Sequence, residues 1–344
     1  MITGTRMRIT TIKIRSMNRT NTDKPVKPSK VNSVISLICL SLLFCGCSKT
    51  VPPADRETEV RMTEPAAYVW SNDWDICLPE LDEDAAEGND YVSLDSSHSN
   101  DGYFYVKYTG DCPKVKLQLF CDTSITYTYD INPGEYTVIP LSLGSGPYSI
   151  TVYENMQENE YAMAYALELD VTLDDEQAPF LYPNQRVNFT AESNTTALAK
   201  ELTNGCTTEL EAVAQVYDYM IKNITYDYDK AANVQAGYLP DVDETLATGT
   251  GICYDYAAVM ASMLRSVGIP TRMEIGYSGD AYHAWVSVYT KDHGWIDDII
   301  EFDGVQWTLM DPTFDANSSE SKGADIGRLL GKGKKAEYNV MYNY

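Results

Sequence analysis

Between Tyr103 and Val171 apolar and polar residues alternate in short runs. The runs are 103–109, 114–121, 125–131, 135–141, 148–156 and 161–171, and Gly110-Asp111, Asn132-Pro133-Gly134 and Gly144-Ser145-Gly146-Pro147 separate several of them. A period of two lays one face of each run against a core, so six evenly spaced short strands predict a small antiparallel sandwich. The period then changes. From Glu209 to Lys222 apolar residues fall at Leu210, Val213, Val216, Tyr217 and Met220, which is helical spacing, and Thr207-Thr208 can cap that helix. A second helix is predicted over Tyr254 to Val267, stopped by Gly268 and Pro270. Cys253 sits in its first turn, on one face with Tyr256, Ala257, Met260, Leu264 and Val267. Strands are predicted at 271–277, 281–289 and 305–310. The whole is an α+β chain with an all-β part ahead of a mixed part.

The ends follow a different pattern. A basic, polar stretch to Lys30 precedes the apolar run Val34 to Phe44, which is too short to span a bilayer as a helix but suits a signal-peptide core. Cys45-Gly46-Cys47-Ser48 comes next and resembles a bacterial lipobox, which implies cleavage after Gly46 and a lipid on Cys47; a plain secretory signal is the alternative. Phe44 and Cys45 depart from the usual residues at the preceding positions. Ser48 to about Pro65 is polar and reads as a tether. The expected division is leader 1–46, tether 47–70, β domain 71–178 and mixed domain 179–344, with a loop at 316–335. The expected place is outside the cytoplasm, held to the membrane by the lipid.

Charge removes one class of function. The net charge is −24, and without the basic first 46 residues the rest carries 18 basic and 49 acidic residues, or −31. Such a surface repels nucleic acid. Removing Cys39, Cys45 and Cys47 leaves Cys77, Cys112, Cys121, Cys206 and Cys253, an odd number, so at least one thiol is free. Cys112 and Cys121 lie at opposite ends of a predicted strand, about 30 Å apart at ~3.3 Å per residue, too far to pair with each other.

Cys253 alone would be a small core residue or a disulfide partner. Its position at a helix start, where free amides and the helix dipole favour an anion, predicts instead a lowered thiol pKa. Strand alternation puts His283, Trp285, Ser287 and Tyr289 on one face and Trp307, Leu309 and Asp311 on one face of the third strand, so His283 and Asp311 are expected side by side on neighbouring strands. Imidazole can take the thiol proton and return it to a leaving group, and a carboxylate can fix the ring. His98 and His293 lie in polar turns, and Asp297, Asp298, Asp303 and Asp315 read as surface or loop charges. No metal or cofactor is expected: there is no Cys-x-x-Cys and no suitably spaced histidine pair, and Asp241-Val242-Asp243-Glu244 reads as a solvated turn.

Three ordered segments, Gly251-Ile252-Cys253-Tyr254-Asp255-Tyr256-Ala257, His283-Ala284-Trp285 and Trp307-Thr308-Leu309-Met310-Asp311-Pro312-Thr313, resemble the transglutaminase-like superfamily. Upstream Ile224-Thr225-Tyr226-Asp227 is similar to the segment after the second helix of bacterial members, and the resemblance covers roughly 190–320. It implies a papain-like core with Cys253 as nucleophile, His283 as base and Asp311 as the orienting acid. It also implies an acyl-enzyme, with protein or cell-wall peptide as the expected substrate. Hydrolysis, cross-linking by acyl transfer, and a silent binding or assembly role all occur in the superfamily. Two departures stand out. The interval from His283 to Asp311 holds an extra segment, Lys291 to Gly304, and no tryptophan lies between Asn184 and Cys253 to stabilise an oxyanion, as one does in animal transglutaminases.

Overall fold

The structure, a computed structural model, describes residues 69–122, 125–278, 281–302, 307–309 and 338–344. The leader, Cys47, the 316–335 loop and Asp311 lie outside the described residues.

Eight strands come first: β1 (Glu87–Gly88), β2 (Val92–Asp95), β3 (Tyr103–Tyr108), β4 (Val115–Cys121), β5 (Tyr127–Ile131), β6 (Tyr136–Pro140), β7 (Gly146–Gln157) and β8 (Glu160–Val171). They form two antiparallel four-stranded sheets, ordered β1-β2-β3-β6 and β5-β4-β7-β8. The alternation is realised as burial. In β4 Val115, Leu117 and Leu119 are enclosed while Lys116 and Gln118 are only half-buried, and β5 repeats this with Tyr127, Tyr129 and Ile131. Each such aliphatic side chain contributes about 1.5–3 kcal/mol when buried. The six predicted strands are β3 to β8. Two more, β1 and β2, escaped the sequence reading because Val92 and Leu94 are the only apolar side chains buried in four residues of β2.

The mixed half runs α1 (Asn194–Leu202), α2 (Glu209–Asn223), β9 (Thr225–Tyr226), α3 (Tyr228–Asn233), α4 (Val242–Thr248), β10 (Thr250–Gly251), α5 (Cys253–Ser266), β11 (Thr271–Ser278), β12 (Ala281–Thr290), β13 (Gly294–Phe302), β14 (Trp307–Leu309) and β15 (Tyr338–Asn343). The cap expected for α2 is present: Thr208 Oγ1 accepts from Glu211 N at 3.1 Å, and Glu211 Oε2 accepts from Thr207 N at 2.7 Å. Asp241-Val242-Asp243-Glu244 is not a solvated turn. Asp241 caps α4, and the Asp243 carboxylate accepts from the amides of Asn194 and Thr195, so two helix starts share one acidic cluster.

The sequence predicts one apolar face for α5, yet Asp255 to Ser266 is buried without a break. Helices α1, α2 and α4 pack on one side and β11 and β12 on the other, which makes α5 the central helix. The sheet beneath it is ordered β14-β13-β12-β11-β15. Here the expectation that the strand of His283 neighbours the strand predicted at 305–310 fails, for β14 is not paired with β12. The extra segment is itself strand β13: Gly294, at φ +72°, closes a tight hairpin from β12, and β13 lies between β12 and β14.

The boundary expected near 178 falls just after β8, at the short turn of 3-10 helix Ala178–Phe180. Buried residues nevertheless run in one cluster from Trp70 to Tyr344. Ser142 Oγ donates to Asn343 O at 2.7 Å, and Asn343 N donates to Tyr127 Oη at 2.8 Å, so β15 is bonded to the sandwich as well as to β11.

Candidate active site

Local rules place Cys253. Helix α4 ends at Gly249, whose left-handed φ of +65° lets its N–H reach Thr245 O. The next two residues pair in parallel with β9, Thr250 with Thr225 and Gly251 with Tyr226. A Cβ on Gly251 would lie 2.7 Å from the Asp255 Cβ, so glycine lets Asp255 fold back over the helix start. There Asp255 Oδ2 accepts from Ile252 N at 2.8 Å and caps α5, of which Cys253 is the first residue.

Asp255 is fully enclosed and serves three partners. Lys230 Nζ meets Oδ2 at 2.8 Å, and the Tyr238 hydroxyl donates to Oδ1 at 2.5 Å. Lys230 also donates to Tyr238 Oη at 2.7 Å. Burial pulls the Lys230 ammonium down, but the bonds to Asp255 and Tyr238 outweigh it and leave the net shift upward. These bonds tie α3 and the 234–240 segment to the base of α5.

His283 arrives by register: it faces Gly276 across β11–β12, and Ala284 faces Ile275. The Ala284 N–H donates to the Cys253 sulfur, so the residue next to His283 touches the thiol. The His283 ring stacks on Trp285, centroids 6.4 Å apart. Cys253 and His283 line the same cavity of about 510 Å³. Of the residues picked out from the sequence, these two are brought together; Asp311 lies outside the described residues. His98 pairs with Asp101 at 2.9 Å, and His293 stays in the β12–β13 turn. Among the described residues no group of three or more His, Cys, Asp or Glu is placed to hold a metal, and Cys77, Cys112, Cys121, Cys206 and Cys253 are all unbridged.

The thiol differs from expectation. Burial pushes the Cys253 pKa up, although the N–H groups of Ala284 and Tyr254 and the Tyr226 hydroxyl pull the other way. The helix start supplies donors, as the sequence implies, but the enclosure that makes α5 a central helix dominates.

Tyr226 received no role from the sequence. Its hydroxyl donates to the Cys253 sulfur and accepts from the Cys253 backbone N–H. The signal was present: Tyr226 belongs to the quoted Ile224-Thr225-Tyr226-Asp227 segment, and its parallel partner is Gly251, two residues before the thiol. Burial raises its own pKa to about 12, so it is a neutral donor at physiological pH.

The family model of the transglutaminase-like superfamily matches residues 196–297, which include Tyr226, Cys253 and His283. The uncharacterized protein YebA of Bacillus subtilis is 26% identical over 153 residues, covering 37% of this chain and 19% of that protein. This chain therefore spans about a fifth of that relative. Among solved structures, a Cytophaga hutchinsonii protein provisionally assigned as a cysteine protease matches with a TM-score of 0.32 at 15% identity, covering 56% of this chain and 77% of the other. Red sea bream transglutaminase matches with a TM-score of 0.23 at 12% identity, covering 61% and 48%. The family model of the transglutaminase-like superfamily thus matches the segment that carries Tyr226, Cys253 and His283, and the chain resembles that superfamily over residues 196–297.

Proposed function

We propose that this chain is a thiol enzyme that forms an acyl-enzyme on Cys253 and hydrolyses peptide or amide bonds of protein or cell-wall peptide. The observation that carries the reading is the convergence of Cys253, His283, the Ala284 amide and the Tyr226 hydroxyl on one cavity. Because the enclosed thiol rests protonated, the first step needs a base. His283 takes the proton as sulfur attacks the substrate carbonyl carbon, and the carbonyl oxygen becomes an oxyanion. The Cys253 N–H and the Tyr226 O–H, which satisfy each other and the sulfur at rest, turn to that oxyanion. Collapse breaks the C–N bond, and the leaving amine takes the proton from the imidazolium. Water then attacks the thioester, His283 takes its proton, and the acid leaves as the thiol re-forms. Asp311 is the proposed orienting acid for His283. A primary amine in place of water would give cross-linking by the same steps.

We place the protein outside the cytoplasm, lipid-anchored through Cys47, on the strength of the apolar run and Gly46-Cys47. Incubation with a peptide library, with and without a primary amine, tests the reaction. Cleavage is expected, amine incorporation would favour the transferase, and inertness would leave a binding protein. For the anchor, Cys47→Ala should abolish detergent-phase partitioning, and partitioning that persists would defeat it.

A further inference from the structure

The cavity beside Cys253 has two walls of different origin. One is β9, α5, β12 and the 231–239 segment; the other is Asp130 of the sandwich and Gln185-Arg186 of the segment after it. Two of the lining side chains, Asp130 and Arg186, carry full charges. Their situations differ. The Asp130 carboxylate is met by Lys116 Nζ at 3.0 Å. Among the described residues Arg186 has no carboxylate partner: its Nη1 donates to the Tyr254 hydroxyl at 2.7 Å, its Nη2 to Thr128 O at 3.4 Å, and its guanidinium lies 4.2 Å from the Tyr344 ring centroid. In a chain with 50 acids and 26 Lys and Arg, a half-buried arginine that meets only tyrosines and a carbonyl among the described residues is a charge without an acidic partner there. Its position is fixed on three sides, and it ends on the residue that follows the nucleophile. An arginine fork has five N–H donors, and these contacts use two, leaving a donor on each terminal nitrogen.

We infer that Arg186 is the specificity residue of a carboxylate-binding subsite in the Cys253 cavity, so that the preferred acyl donor carries a carboxylate near its reacting carbonyl. This rests on the reading of Cys253 as the acylated nucleophile. A free carboxylate offers the planar, two-oxygen acceptor that a guanidinium matches, and neutralises a charge that Lys116 leaves unbalanced by holding Asp130. The acidic composition works with this, since a net negative surface disfavours acidic ligands in general and leaves a local cation to select them. The carboxylate can belong to an acidic side chain or to a chain terminus.

Alkylation of Cys253 separates this subsite from turnover. The full chain is treated at fixed pH with N-bromoacetyl-alanine (terminal carboxylate), with the α-amide of N-bromoacetyl-glutamate (side-chain carboxylate), and with neutral N-bromoacetyl-alaninamide. Labelling of the Cys253 peptide is followed by mass spectrometry. At least one acidic reagent should half-saturate at about tenfold lower concentration than the neutral one, the scale of a charge-assisted bond. Which acid shows the preference identifies the carboxylate source. Arg186→Gln should remove the preference while the neutral reagent reacts as in wild type, and Arg186→Lys should keep part of it. No preference in the wild type, or a preference that survives Arg186→Gln, overturns the subsite. So does an Arg186→Gln variant that slows all three reagents equally, because the side chain is then structural; if that variant fails to melt cooperatively, Arg186→Lys decides by whether it keeps the preference. A preference that tracks Arg186 in a protein that turns over no peptide keeps the subsite and sinks the acyl-enzyme reading. Peptide turnover without any preference does the reverse.

Discussion

The two ends of α5 put enclosed polar groups to different uses. At its C-terminal end Arg265 is fully buried, and its guanidinium donates to Thr271 O from Nε and Nη2, to Tyr182 O from Nη1 and to Tyr344 O from Nη2. Those carbonyls belong to the start of β11, the segment after the sandwich and the residue after β15, so one side chain fastens three parts of the fold around the helix. At its N-terminal end Cys253 and Asp255 are equally well supplied with partners, but that network stops at the wall of a 510 Å³ cavity. A network closed on itself adds stability alone. One that borders a void keeps groups in position for a molecule that is not part of the fold, and the two ends should therefore respond differently to substitution.

The sharpest break of the comparison is at the open end. Cys253→Ala and His283→Ala should each lower kcat/KM by on the order of 10⁵-fold, since groups that act as a unit fail together. Both should melt within about 1 kcal/mol of wild type, because neither deletion leaves a large core cavity. A His283→Ala protein that keeps a tenth of its activity would remove the proposed base.

The next pair contrasts the ends directly. Arg265→Met should cost about 3–4 kcal/mol, by leaving buried carbonyls unpaired, while the folded fraction keeps its kcat. Asp255→Ala should cost about 3 kcal/mol, by orphaning Lys230 and the helix cap, and should also raise KM, because the 234–240 wall of the cavity loses its tie. Urea melts alongside initial rates read both quantities. Equal effects on KM would mean the ends are not distinct.

Tyr226→Phe comes third. It should lower kcat by about 10²-fold with KM unchanged, as loss of one oxyanion donor does. The hydroxyl also pulls the Cys253 pKa down against burial, so its removal should move the alkaline rise of Cys253 alkylation to higher pH. A variant with an unshifted profile and full kcat would return Tyr226 to a purely structural place.

What the sequence revealed and what it hid divide along the range of the interactions. The alternation in 103–171, the Thr208 cap and the Cys253 helix start are local, and each was legible. So was the placement of Cys253 and His283 beside one cavity, because motif order stands in for proximity. The Asp255 network was hidden, since Lys230, Tyr238 and Asp255 are 8 to 25 positions apart and meet only when β9 and β10 pair. Strand β13 was hidden because Lys291 to Gly304 was read as an addition to a known pattern rather than for its own hairpin turn. The raised thiol was hidden for a third reason. A helix start is a local feature, but burial of Cys253 depends on α1, α2, α4, β11 and β12 packing around α5.

The smallest expected effect tests the same network through pH. Burial and the bond to Asp255 push the Tyr238 pKa up to about 12, against about 10 in an unfolded chain. Between those values the unfolded state releases its phenolic proton and the folded state keeps it, so the unfolded state binds fewer protons and stability falls as pH rises. Below about pH 10 both states are protonated and this contribution is constant. Tyr226 adds to the same slope, with its pKa also raised to about 12, as do Tyr103 and Tyr108 in the sandwich. Urea midpoints should therefore decline steadily from pH 10 to 12. In Tyr238→Phe one titrating group is gone, so the protein should start less stable at pH 8 through the lost hydrogen bonds and decline less steeply above pH 10. Phenolate absorbance gives the independent check: the variant should lack one late-titrating tyrosine. If its slope matches wild type, Tyr238 titrates with the unfolded chain, and the Asp255 network does not hold its proton.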